Sequence, residues 1–219
     1  MPAHARTVHA RPGTGDVAAG TVIWAILLAT AVWAIIFAWR PANFWYLMGV
    51  GVGALGFLAL RIRGPFLREE GVYLHDLAIG VAAAAVLYAV FALGRIVVSR
   101  LVPVASAQIG SVYVLRSQAP WWFIAVLLIC VIGPGEELFW RGLVQWGLVR
   151  RLGPGLGWAL ATGIYGGVHL VAANPMLVIA ALAAGGFWGL LYLRIGRLAP
   201  LVVSHIVWDL TVFLVLPFQ

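Results

Sequence analysis

Two adjacent glutamates and an arginine interrupt apolar sequence at residues 133–146, G-P-G-E-E-L-F-W-R-G-L-V-Q-W. An ionised carboxylate is expensive in a bilayer and two side by side repel, so such a pair is either functional or very well partnered. Helical geometry separates the two. Glu137 and Arg141 stand four residues apart and face each other, so an ion pair neutralises both within the membrane. Glu136 points about 100° away and is left as the carboxylate available to act as a general base. A competing reading makes both glutamates part of one polar knot holding helices together. Two histidines extend the set. His169 in G-I-Y-G-G-V-H-L-V and His205 in V-S-H-I-V-W-D-L lie inside apolar spans, and Asp209, four residues past His205, shares its helix face. Either histidine alone would more often be a packing residue than a catalytic one.

The remaining polar residues have simpler explanations. Of seven acidic residues, Asp16 falls in a polar arm, Glu69 and Glu70 in a loop beside Arg68, and Asp76 at a helix start, where the macrodipole favours a carboxylate. His4 and His9 belong to the arm and His75 to a helix start. Cys130 excludes an intramolecular disulfide and reads as a small core residue.

The elements that must position these groups are set by composition. With 63% hydrophobic residues, 10% charged residues and a mean hydropathy of +1.02, the chain is far from the soluble range and reads as an integral membrane protein. Its 14 basic residues are all arginine, and they sit mostly between apolar stretches, so topology explains them better than nucleic acid does. Apolar runs at 22–39, 43–60, 74–94, 121–149, 157–172, 176–194 and 199–217 predict an all-α polytopic transmembrane helical bundle of seven helices, or eight if 101–119 also crosses. That stretch holds Pro103, Ser106, Gln108, Ser111 and Arg116 and is expected to be interfacial or re-entrant. The fourth run should kink at Gly133-Pro134-Gly135. Residues 1–20 read as a flexible arm and 21–219 as one transmembrane domain. The arginine bias predicts an inside N-terminus, and Trp24, Trp39, Trp45, Trp121 and Trp122 fit an aromatic belt. At 1.5 Å per residue, Glu136, His169, His205 and Asp209 fall within roughly ten ångströms of depth, which permits them to meet. Gly133, Gly135, Gly163, Gly166 and Gly167 offer small surfaces for close helix approach near that level.

Glu136-Glu137-x-x-x-Arg141, then Tyr165-x-x-x-His169, then His205-x-x-x-Asp209, in this order on three membrane-embedded elements, resembles the CPBP family of intramembrane proteases. That family includes the CAAX prenyl endopeptidases and the bacterial Abi-type proteins. The similarity covers residues 121–210. Each motif is weak alone, but three in order within spans form a strong signal. The resemblance implies a metal-independent glutamic endopeptidase without a cofactor. Glu136 would activate a water, His169 would help hold it, and His205 with Asp209 would stabilise the oxyanion, while Glu137, Arg141 and Tyr165 would be structural or orienting. Tyr165 stands where phenylalanine is usual. Asp209 stands where asparagine is frequent, and an ionised aspartate cannot donate to an oxyanion, so orientation of His205 is its expected role.

The implied partners are the lipid bilayer and a membrane-anchored protein or peptide substrate, with no nucleic acid. The arginine-only, alanine- and glycine-rich composition suggests a bacterial inner membrane. Two rivals remain open at this stage. Glu136, His169, His205 and Asp209 are credible zinc ligands, although no H-E-x-x-H pair is present. A non-enzymatic immunity or transport protein would also bury carboxylates and histidines, but broken helices in corresponding halves are missing.

Overall fold

The computed structural model describes residues 17–64 and 71–218. The expected arm up to Asp16, and the loop residues Arg68, Glu69 and Glu70, lie outside the described residues. Among the described residues the regular elements are all helical. They are α1 (Ala19–Trp39), α2 (Phe44–Arg63), α3 (Leu74–Leu101), α4 (Ala105–Tyr113), α5 (Trp121–Leu152), α6 (Pro154–Ala172), α7 (Pro175–Ile195) and α8 (Ala199–Val215). All but α4 and α8 are long and apolar enough to cross a membrane, and α8 is apolar but shorter. The chain is thus a multi-pass integral membrane protein. Helix α1 already includes Ala19 and Gly20, which the sequence reading had left in the arm.

Local chemistry explains where the helices begin. Asn43 caps α2 by accepting the Trp45 N–H at 2.9 Å, and Asn174 caps α7 through the Leu177 N–H at 3.0 Å. Pro154, Pro175 and Pro200 occupy first-turn positions of α6, α7 and α8, where a missing N–H costs nothing. The stretch expected to be interfacial or re-entrant contains α4 and a 3₁₀ turn over Val114–Gln118. It sits on the starts of two long helices. Gln108 accepts the Met176 N–H, Gln118 accepts the Phe44 N–H, and the buried Trp45 indole donates to the Leu115 carbonyl at 2.8 Å. Trp45 is therefore a core residue and not part of an outer belt, whereas Trp24, Trp39, Trp121 and Trp122 are exposed.

Helix α5 continues as helix through Gly133-Pro134-Gly135, with a proline and a π-helical segment together at the place of the expected kink. A π-helical segment, Leu128–Ile132, lies directly before the proline and widens the turn that its ring would otherwise crowd. The flanking glycines admit two neighbours. A Cβ on Gly135 would lie 3.0 Å from the Val52 carbonyl oxygen of α2, and one on Gly133 would lie 2.8 Å from the Ile206 side chain of α8. Gly166 approaches Leu182 as closely, but Gly163 and Gly167 have nothing within 4 Å, so those two do not serve helix approach. Helix α3 packs along α8, with Gly80 against Val203 and Pro200, and is tied at its start by the Asp76–Arg197 ion pair at 2.7 Å. Cys130 is exposed, not a core residue. Large apolar side chains such as Leu28, Phe57, Leu93 and Ile179 cover the outer surface, as lipid contact allows.

Candidate active site

Glu136 and Glu137 are both buried on α5, and their surroundings differ as the helix geometry required. Glu137 Oε1 accepts from Arg141 at 2.9 Å and from His205 Nδ1 at 2.7 Å. Its Oε2 is sealed in the core and has no hydrogen-bond partner among the described residues. Glu136 Oε2 accepts the Tyr165 hydroxyl proton at 2.7 Å, its one hydrogen bond among the described residues. One carboxylate is consumed by cationic or N–H donors and the other is held by a single neutral hydroxyl.

Arg141 fixes the geometry between helices. Its guanidinium donates to the Gly185 carbonyl of α7 at 3.3 Å and lies 5.0 Å from the Tyr165 ring centre and 5.4 Å from that of Trp188. A Cβ on Gly185 would lie 2.7 Å from the Tyr165 ring, so the missing side chain makes room for the tyrosine that reaches Glu136. Tyr165 is expected to be a structural or orienting residue. It also donates a hydrogen bond into the site.

His205 lies face to face with Trp188, centroids 4.0 Å apart, and the Trp188 indole is itself held by Ser204 at 3.0 Å. The ring is oriented by Glu137 through Nδ1, which leaves Nε2 on the Asp209 side at 3.6 Å. That separation exceeds a hydrogen bond. The orienting contact expected from Asp209 is therefore supplied by Glu137.

His169 has both ring nitrogens engaged. Nε2 accepts the Trp33 indole proton at 3.1 Å, so Nδ1 carries the hydrogen and donates to the Tyr165 carbonyl at 2.7 Å. With neither nitrogen spare, the expected water-holding contact conflicts with this arrangement. Trp33 and Phe37, both of α1, pack against His169 at 5.7 and 5.9 Å. The sequence reading left α1 unassigned, yet a tryptophan in mid-span was a usable signal, because its N–H needs a partner away from water.

Glu136, Tyr165, His169, His205 and Asp209 line one cavity of about 330 Å³. Its walls are otherwise largely apolar, contributed by α3, α4, α7 and α8 as well as the site helices. Glu137 and Arg141 stand behind this wall. No group of three or more His, Cys, Asp or Glu side chains is placed to hold a metal among the described residues. Of the four residues weighed as zinc ligands, His169 has both nitrogens engaged within the protein.

Residues 117–211 match the family model described as type II CAAX prenyl endopeptidase Rce1-like. The match takes in α5 to α8 nearly whole, the helices that carry Glu136, Glu137, Arg141, Tyr165, His169, His205 and Asp209. No curated protein and no solved structure matches the chain.

Proposed function

We propose that the chain is a CAAX-type membrane protease, the family whose model it matches over residues 117–211, and that it hydrolyses a peptide bond of a membrane-associated protein or peptide with a water activated by Glu136. The observation that carries the proposal is the division of labour between the adjacent glutamates. Glu137 is spent on Arg141 and His205, while Glu136 faces the cavity with one hydroxyl for company.

In the proposed reaction a water hydrogen-bonded to Glu136 attacks the scissile carbonyl carbon, and the carboxylate takes its proton. The carbonyl π electrons move onto oxygen. His205, carrying a proton on each nitrogen, keeps Nδ1–H on Glu137 and offers Nε2–H to that oxyanion, with the Asp209 carboxylate beside it. Collapse of the intermediate breaks the C–N bond, and the proton on Glu136 passes to the leaving nitrogen. Atoms and charge balance without a cofactor. Tyr165 holds Glu136 in place, and His169, fixed between Trp33 and α6, acts as a positioning residue. The apolar walls exclude bulk water, which strengthens both donors.

The test is a Glu136→Gln variant, purified and assayed on a membrane-anchored peptide reporter. Loss of general-base catalysis predicts a fall of at least roughly 100-fold in kcat with unchanged thermal unfolding. Turnover near the parent level would remove Glu136 from the mechanism. Exhaustive chelation is expected to leave the parent rate unchanged, and a rate abolished by chelator and restored by zinc would establish the metal mechanism instead.

A further inference from the structure

The cavity lined by Glu136 is lined also by residues of α3 and α4, and against these the chain places a segment of itself. After α8, Leu216 leaves the helix with φ −132° and ψ 70°, and Pro217 and Phe218 follow without helical bonding. The Phe218 ring stacks on Tyr88 at 4.8 Å and lies nearly parallel to Phe91 at 6.4 Å. Two tyrosine hydroxyls hold the backbone of the same segment. Tyr88 donates to the Leu216 carbonyl at 3.2 Å, and Tyr113 of α4 accepts the Phe218 N–H at 3.0 Å. The carbonyl of Leu216 and the N–H of Phe218 are thus both bonded next to a stacked ring, an arrangement that can hold non-helical main chain irrespective of its sequence.

From Phe218 the aromatic surface continues inward. Phe91 meets Trp208 at 5.0 Å, Trp208 meets Trp188 at 5.8 Å, and Trp188 lies on His205 at 4.0 Å. Phe91, Trp208, Phe218, His205, Asp209 and Glu136 all line the one cavity. The segment itself is lightly held. Leu216 is 54% exposed, Pro217 and Phe218 are half-buried, and the Leu216 N–H stays on α8 through the Thr211 carbonyl at 2.7 Å, so rotation beyond Leu216 would vacate the seat without unwinding the helix.

We propose that Tyr88, Phe91 and Tyr113 form a peptide-binding subsite, that Leu216–Phe218 occupies it in the resting protein, and that the substrate displaces this segment with an extended stretch carrying an aromatic or large aliphatic side chain. The proposal rests on the protease reading for its consequence in turnover, though not for binding. Phe218 is then an internal competitor whose strength is that of one or two aromatic contacts.

Two variants test it in the full chain. In the Glu136→Gln background, cross-linking of a membrane-anchored peptide carrying a benzophenone side chain measures occupancy without cleavage. Phe218→Ala is expected to raise cross-linking affinity about two- to tenfold, the worth of the lost ring contacts. In the active protein it should lower KM by the same factor and leave kcat alone. A purely structural role would instead lower the melting temperature and reduce cross-linking. The second variant is Phe218→Cys with Cys130→Ala, capped by a reducible benzyl thiosulfonate that returns a ring to this position. The capped form should bind the peptide about two- to tenfold more weakly than the reduced form. Equal cross-linking by capped and reduced forms, or no gain from Phe218→Ala, overturns the subsite. Should the parent cleave nothing while Phe218→Ala still raises cross-linking, the protease reading falls and the subsite stands.

Discussion

At the residue scale, one position of chain separates two identical side chains into different chemical roles. Glu137 has two donors on a single oxygen, and Glu136 has a hydroxyl. Removing Arg141 leaves Glu137 buried with one partner, and breaking a buried pair by deleting one member costs about 3–5 kcal/mol. Arg141→Ala is therefore expected to lower stability by that amount and to lose activity through unfolding, which thermal denaturation in detergent will register. Tyr165 can be resolved atom by atom. Tyr165→Phe restores the residue usual at this place in the family motif and keeps the ring against Arg141 and His169, so kcat should change less than about tenfold, the worth of a hydrogen bond to a charged group at the low end. Tyr165→Ala also deletes the ring, and loss of a buried aromatic costs about 3–5 kcal/mol. A Phe variant as inactive as Glu136→Gln would show that the hydroxyl itself takes part in the chemistry.

At the element scale, glycine placement decides how closely α5 meets its neighbours, and the prediction follows from the space at each site. Gly135→Ala drives a methyl into the Val52 backbone oxygen at 3.0 Å, and overpacking of this kind costs about 1–3 kcal/mol. Gly163→Ala and Gly167→Ala meet nothing within 4 Å and gain helix propensity of about 1 kcal/mol each, so both should raise the melting temperature. The contrast also marks what the sequence could convey. Apolar runs located the long helices to within about three residues, because bilayer thickness fixes their length, except that α3 runs on past the expected end at 94 to Leu101. The i, i+4 spacing placed Arg141 on Glu137 because one helix determines that contact. The partner of His205 Nδ1 was not legible, since Glu137 reaches it from another helix, and crossing geometry is written in close packing and not in periodicity. For the same reason Trp33 came to His169 unforeseen, and two of five glycines taken as interhelical faced open space.

At the scale of the whole molecule, alternating helices collect charge at one end. Arg61 and Arg63 close α2, Arg150 and Arg151 close α5, and Arg194 and Arg197 lie at the end of α7 and just beyond it, whereas Arg40, Arg95, Arg100 and Arg116 belong to the opposite end. Part of the richer cluster is built into the fold. Arg63 lies 3.9 Å over the Trp146 ring, with Arg150 at 5.0 Å from the same ring, and Arg63 also donates to the Gly142 carbonyl. Cation–π contact keeps the guanidinium heads grouped, and a grouped positive end is retained on the cytoplasmic side during insertion. Applied to a chain with α1 starting inside, this bias places α4 and its 3₁₀ turn on the outer side and the α5–α6 connection on the inner side. Single cysteines in a Cys130→Ala background read that directly with a membrane-impermeant maleimide on intact cells. Ser117→Cys is expected to label from outside, and Leu152→Cys only after permeabilisation. The orientation also governs where substrate arrives, because the seat held by Phe218 lies on the α4 side while Glu136 lies midway along α5. Peptide would then pass from the outer half of the bilayer toward the carboxylate. The opposite labelling pattern would invert that route and leave the site chemistry, which depends on contacts among α1, α5, α6, α7 and α8, unchanged.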